Sequence, residues 1–396
     1  MTRISPATTK AGSRATLHEA GDLVWIAPTS APGADLAAET SAALAALGRT
    51  LIADGLSWHD VDLVIAHLAD PADEEAVDAS YHEHFAGAAP RRTLAPTRAP
   101  RGTHVAFEVV AHRRRDARPG ELVRRTGFVH HDGESLYYEV VGAGDATPVV
   151  LCHGAGSNHA SWFQQVHALA HERPVISWDH RGYGRSSDHA EVSGPEVAAG
   201  DLLAVLDELD VERADLVGQS MGGWTAVGAA LARPRVARSL VLTDSIGGIV
   251  TDPVAAALAR SAARTPERGV LGEHPALSAD FRHREPALAH LYQMVGRMGS
   301  VDPMVMLERL ARTTYGTDIA ASLTMPVLVV AGDRDTLFTP AALRAVADAL
   351  PDGRLVEIAD AGHSAYFEEP DSWNQAVRDF QRALDRIDEK TLGELR

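Results

Sequence analysis

The sequence predicts an α/β protein with a doubly wound, mostly parallel sheet, preceded by a smaller α+β unit. Three observations carry this. Short β-rich apolar runs recur between helical stretches over residues 126–396. Strands that are apolar throughout, and alternate with helices, belong to parallel sheets covered on both faces. Residues 14–112 read instead as a mixture of strands and two helices without that regular alternation. At 396 residues, the chain is long enough for two to three domains at roughly 150 residues each.

In the first unit, residues 15–28 (ATLHEAGDLVWIAP) read as one strand, and 34–55 as a helix with Leu36, Ala43, Leu44, Leu47 and Leu51 at helical spacing. A strand (VDLVIAHLA), a second helix (DEEAVDASYHEHFA) and two strands (RRTLAP, THVAFEVVAH) follow. The stretch 112–125, HRRRDARPGELVRR, holds six arginines with Pro119 and Gly120, and has no sustained apolar period. The expected division is therefore 1–112, a basic linker at 113–125, and 126–396.

In the second unit the strands are PVVLC (148–152), PVISWD (174–179), DLVG (215–218), SLVLTD (239–244) and PVLVVAG (326–332). Helical patterns occupy 196–210 and 225–232, and a mostly helical insert spans 245–324.

The strongest motif is Gly218-Gln219-Ser220-Met221-Gly222, between a strand and a helix. A serine at so sharp a turn is exposed at a helix N-terminus, where free N–H groups meet developing negative charge. Serine is a poor nucleophile unless a base takes its proton, and imidazole titrates near neutrality. The base expected is His363, in Ala361-Gly362-His363 after RLVEI. A carboxylate must fix the imidazole tautomer. Asp335, in Gly332-Asp333-Arg334-Asp335, is preferred to Asp333 because it lies further beyond the strand end. Small residues after His153-Gly154 let the Ala155 N–H face the site and, with the Met221 N–H, form a two-donor oxyanion hole.

Composition narrows the partners. Residues 1–125 carry 14 Lys/Arg against 16 Asp/Glu, and residues 126–396 carry 23 against 38. So acidic a main body disfavours nucleic acid and anionic membrane, leaving a small-molecule substrate. The single cysteine, Cys152, argues against a disulfide framework or a multi-cysteine metal site, and HExxH is absent; no metal or other cofactor is expected. No run of 18 apolar residues occurs, and the N-terminal stretch lacks the apolar core of a secretion signal, so the expectation is a cytoplasmic protein.

Residues 126–396 resemble the α/β-hydrolases. The resemblance rests on the H-G segment, the loop Asp179-His180-Arg181-Gly182-Tyr183-Gly184-Arg185-Ser186, the serine elbow, the acid loop and the terminal G-H, in that order. It implies that 245–324 forms a lid. Family members acting as haloalkane dehalogenases or epoxide hydrolases carry aspartate at the elbow, where this chain has serine. The expected activity is thus hydrolysis of an ester, lactone, amide or ring-cleavage product. A ligand-binding relative without catalysis is the alternative from another class.

Residues 14–112 resemble the Rid/YjgF enamine/imine deaminases, on DLAAETSAALAALGRTLIADGLSWHDVDLVIAHLAD, the A-V-x-x-x-Y-x-x-x-F run ending at Phe85, P-R-R-T (90–93) and VAFEVVAHRR. The resemblance implies a homotrimer and makes Arg92 the candidate for pairing with a substrate carboxylate. Ala106 stands where the family has a glutamate, Glu108 aligns with a second acid, and the family's S-G-Q-x-P reads Pro28-Thr29-Ser30-Ala31-Pro32. The expectation is a structural, trimerising domain; a bifunctional deaminase–hydrolase handling a nitrogen-bearing intermediate is the alternative.

Overall fold

The computed structural model describes residues 4–6, 16–20, 23–85, 89–95, 99–100, 102–112, 122–260 and 270–394. Contacts divide the chain into one unit of Met1–Val140 with Arg185–Ser187 and another of Val141–Gly184 with Asp188–Arg396.

The first unit contains β1 (Ile4–Pro6), β2 (Thr16–Ala20), β3 (Leu23–Thr29), α1 (Leu36–Ala53), β4 (Val61–Leu68), α2 (Glu74–His84), β5 (Arg92–Leu94) and β6 (Val105–His112). The six strands form one sheet in the order β1-β2-β3-β6-β4-β5. The stretch read as a single strand over 15–28 is two antiparallel strands, with Leu17 opposite Ile26, which corrects the sequence reading. The signal passed over was Gly21-Asp22, a dipeptide suited to chain reversal.

Asp35 caps α1, its side chain accepting from the Ala38 N–H at 2.9 Å. By length and composition α1 could cross a membrane, with a mean hydropathy of 1.2 over 18 residues, although polar residues interrupt its apolar run. Its apolar stripe Ala43, Leu44, Leu47 and Leu51 is instead buried with Val24, Ile26, Val64, Phe107 and Val109 in one core, as in a core helix.

Two further strands, β7 (Arg124–His131) and β8 (Glu134–Val141), form a hairpin. Asp132 and Gly133 close it with φ of 48° and 81°, the left-handed pair that a two-residue hairpin turn requires. The contact division places most of this hairpin with the first unit, whereas the sequence division ended that unit at 112. The reason is packing: β7 contacts α1. Residues 113–121 of the expected linker lie outside the described residues.

The second unit alternates β9 (Val149–Cys152), α3 (Phe163–Leu169), β10 (Val175–Trp178), α4 (Pro195–Glu208), β11 (Ala214–Gln219), α5 (Met221–Ala232) and β12 (Ala237–Thr243). After the insert come β13 (Val327–Gly332), α11 (Pro340–Ala349), β14 (Gly353–Ile358), α12 (Ala365–Glu368) and α13 (Pro370–Glu394). The insert carries α6 (Asp252–Leu258), α7 (Ala279–Arg284), α8 (Pro286–Val295), α9 (Pro303–Arg312) and α10 (Thr317–Ser322); residues 261–269 fall outside the described residues.

The six strands of this unit run in the order β14-β13-β12-β11-β9-β10, every neighbouring pair parallel. All are buried along their length except β14. Parallel strands leave the ends following β9, β11, β12, β13 and β14 on one edge, where ligands of open α/β sheets bind.

Candidate active site

Ser220 stands between β11 and α5 with φ 47° and ψ −116°, a conformation unusual for a residue with a side chain. The flanking glycines make this turn sterically possible. A Cβ at Gly218 would lie 2.4 Å from the Gly222 carbonyl oxygen, and one at Gly222 would lie 2.1 Å from that of Cys152. The Ser220 N–H donates to Thr243 O at 3.1 Å, and Ser245 Oγ donates to Ser220 O at 2.6 Å. The serine's N–H and carbonyl are thus held by the last residue of β12 and by the segment that follows it.

Three side chains distant in sequence converge here. His363 Nε2 lies 2.8 Å from Ser220 Oγ, and His363 Nδ1 lies 2.9 Å from Asp335 Oδ2. The other carboxylate oxygen of Asp335 accepts from the N–H groups of Leu337 and Phe338, at 2.7 and 3.0 Å. Asp333 instead lies beside Arg334, its side chain 36% exposed. Gln219, which the sequence reading passed over, donates to the His363 carbonyl at 2.9 Å.

The electrostatics favour proton transfer at this imidazole. Burial pushes the His363 pKa down, but the charge and hydrogen bond of Asp335, then the charges of Asp244 and Glu368, outweigh it and the net shift is upward. Burial also pushes Asp244 and Glu368 each up to about 7. In the insert, burial and the neighbouring His363 push His274 down to about 4, leaving it neutral.

Met221 N–H opens α5, and Ala155 N–H lies in the turn after β9; neither donates a hydrogen bond among the described residues. The loop that carries Ala155 is held from below by a chain of buried rings. His153 Nδ1 donates to Gly154 O at 2.9 Å. That leaves Nε2 as the acceptor, and it receives the His180 N–H and the His180 Nδ1–H, each at 3.0 Å. His180 Nε2 must then accept, and Thr225 Oγ1 of α5 lies 2.8 Å away. The Asp179–Ser186 motif therefore acts as a structural link: its Asp179 accepts from the His159 N–H at 2.7 Å, and its Arg181 pairs with buried Asp201 at 2.6 Å.

A cavity of about 220 Å³ opens on His363 and is lined also by Leu277, Ser278, Arg334, Thr336 and Gly362. Ser220 is not among its lining residues. Among the described residues, no group of three or more His, Cys, Asp or Glu could hold a metal ion.

In the first unit, Arg92 of β5 pairs with Asp78 of α2 through two of its three nitrogens, while its Nη1 is buried without a hydrogen-bond partner. Its Nε donates to Asp78 of α2 at 3.0 Å and its Nη2 to the same carboxylate, while the guanidinium carbon sits 5.8 Å from the Tyr81 ring centre. Ala106 is buried opposite His67, and Glu108 lies 3.2 Å from His67 Nε2.

The model of the alpha/beta hydrolase fold family matches residues 147–370 and none of residues 1–146. RutD of Azorhizobium caulinodans, named as a carbamate hydrolase, is 29% identical over 266 residues, which cover 65% of this chain and 99% of RutD. The 3-oxoadipate enol-lactonase 1 of Acinetobacter baylyi is 26% identical, over 65% of this chain and 97% of that protein. The structure of a thermophilic esterase from Thermogutta terrifontis superposes with a TM-score of 0.56 at 26% identity, over 66% of this chain and 99% of the esterase. The family match spans more than half of the 396 residues, and the chain belongs to the alpha/beta hydrolase fold family, as a hydrolytic enzyme of that fold.

Proposed function

We propose that the chain is a serine hydrolase that adds water to a small-molecule carbonyl substrate (ester, lactone, amide or carbamate) through Ser220, His363 and Asp335. The observation carrying this is the continuous contact from Asp335 through His363 to Ser220, at 2.9 and 2.8 Å. His363 Nε2 takes the Ser220 proton as Oγ attacks the carbonyl carbon. The oxyanion forms against the Ala155 and Met221 N–H groups, and Asp335 stabilises the imidazolium through Nδ1. The proton then passes to the leaving group as its bond breaks, leaving an acyl-enzyme. Water, deprotonated by His363, attacks the acyl carbon, and collapse returns the proton to Ser220 and releases the acid. The relatives named as carbamate hydrolase, enol-lactonase and esterase support this substrate class, since each of those names describes water added at an activated carbonyl.

The first unit, in this reading, is structural and assembles copies of the chain. Two observations argue against deaminase chemistry there: Arg92 directs Nε and Nη2 at Asp78, and Ala106 offers no base to activate water. A nitrogen-bearing substrate remains the proposal for the whole chain, consistent with the relative named as a carbamate hydrolase.

The test is a fluorophosphonate probe with peptide mapping, alongside hydrolysis of a panel of esters, lactones, amides and carbamates. Prompt labelling at Ser220, and loss of both labelling and turnover in a folded Ser220→Ala variant, are expected. An unlabelled serine in the intact chain, or full turnover by S220A, refutes the reading.

A further inference from the structure

The second unit buries more carboxylate beside His363 than the reaction uses. Asp244 follows β12 directly, is fully buried, and adopts φ 47°. Its N–H donates to Val330 O of β13 at 2.8 Å, which anchors its backbone to the neighbouring strand. Its two side-chain oxygens go in different directions. Oδ1 accepts from the Gly332 N–H at 2.8 Å, at the root of the loop that carries Asp335. Oδ2 accepts from the Ala365 N–H at 2.9 Å, two residues beyond His363. Asp335 in turn donates its own N–H to Gly332 O at 3.1 Å, closing its turn on the residue that Asp244 holds.

We propose that Asp244 is a positioning residue for the triad: its carboxylate clamps the acid loop to the histidine loop and so fixes Asp335 against His363. This rests on the serine-hydrolase reading above. Asp244 touches neither serine nor substrate; it acts through the two loops it joins. One carboxylate satisfying two backbone donors from separate loops gives each loop a fixed reference on the same strand end, and such outer support determines how well a reacting constellation is held.

The clamp also places charge. The groups acting on His363 are Asp335 from the acid loop, Asp244 after β12, and Glu368 from α12, which also accepts from the Ser278 N–H of the insert. His274 of the insert senses His363, and buried Tyr366 senses Asp244. Of the three carboxyls, only Asp335 is hydrogen-bonded to the imidazole. An ionised Asp244 favours the imidazolium that forms during catalysis. Neutralising Asp244 therefore lowers the pKa of His363 and moves the acid limb of the rate profile to lower pH.

Asp244→Asn and Asp244→Ser are the variants, compared with the unsubstituted chain and with S220A. Asparagine tolerates the left-handed backbone, and both replacements can accept one of the two N–H groups but not carry the charge. Fluorophosphonate labelling and p-nitrophenyl acetate hydrolysis are measured from pH 5 to 9, with thermal melts. The expected result is a roughly ten- to hundredfold loss in labelling rate and kcat/KM, with the acid limb displaced to lower pH and a cooperative melt retained. An unsubstituted chain that does not label at Ser220 sinks the hydrolase reading and this one with it. Labelling of that chain with unchanged rate and limb in both variants overturns the Asp244 role alone. A slower rate with an unmoved limb, or loss of the cooperative melt in both variants, assigns Asp244 to the core and equally overturns it.

Discussion

Acid should loosen the second unit through His153. This ring is completely buried, and burial pushes its pKa down to about 4. In the unfolded chain the same imidazole titrates near its ordinary value of about 6.5. The folded state therefore binds fewer protons between those values. A histidine with a depressed pKa contributes stability that is present above pH 6.5 and is lost as pH falls toward 4. Between pH 7 and pH 5 the loss from this one group is about 2 kcal/mol. The lost interactions are identifiable: a protonated Nε2 could no longer accept from His180, and the loop bearing Ala155 would lose its support. The comparator is His153→Gln, which presents an acceptor to His180 and cannot titrate. Asp244 and Glu368, raised in the opposite sense, are common to both proteins and cancel in the difference. The assay is amide hydrogen exchange of peptides covering β9 and β11 at both pH values, which reports opening of this unit alone. Identical pH dependence in the two proteins would refute the account of a buried neutral ring.

Two further outcomes follow from groups around the sheet. The acid limb of kcat/KM should lie above the ordinary histidine value of about 6.5, because the neutral base is required and the carboxylates raise His363; a pH–rate profile with its midpoint lower than that would contradict this. Arg238→Met should destabilise by about 3–5 kcal/mol in urea unfolding, since Asp215 is fully buried and its best partner, Arg238 Nε at 2.8 Å, would be gone; a loss under about 1 kcal/mol would mean that Arg173, 3.6 Å from the same carboxylate, suffices.

The covered strands of the second unit and the serine turn were readable because both depend on local pattern. Val149–Cys152 or Val327–Gly332 can only be covered strands, and a serine between glycines at a strand end has few structural uses. What escaped depends on tertiary neighbours. Asp244 looks like any acid ending a strand until Gly332 and Ala365 arrive beside it from 88 and 121 residues away. The same holds for His153, whose partner His180 lies in the loop after β10 and is bonded in turn to Thr225 of α5. The turn dipeptide Asp132-Gly133 of the β7–β8 hairpin stands in the sequence but was passed over, and the packing of β7 against α1 has no local signal, because no periodicity says which core a strand will join.

The choice of Asp335 over Asp333 gives the most specific mechanistic forecast. In Asp335→Asn, the side-chain oxygen must keep facing Leu337 and Phe338, because two N–H donors already point there. The amide nitrogen then faces His363 Nδ1, 2.9 Å away in the parent protein, and two donors cannot meet. Nδ1 must give up its hydrogen and accept, so the ring proton moves to Nε2. That nitrogen is 2.8 Å from Ser220 Oγ and can no longer take its proton. The fold is undisturbed, yet kcat should fall by about 10⁴, as expected for a wrong tautomer held in the right place. Asp333→Asn alters only a partly exposed ion pair with Arg334 at 3.5 Å and should leave kcat and stability within about 0.5 kcal/mol of the parent. Steady-state rates with matched thermal melts distinguish the two. If D333N lost activity and D335N kept it, the imidazole would be oriented by a carboxylate other than the one touching it, and the proton path from Ser220 would have to be redrawn.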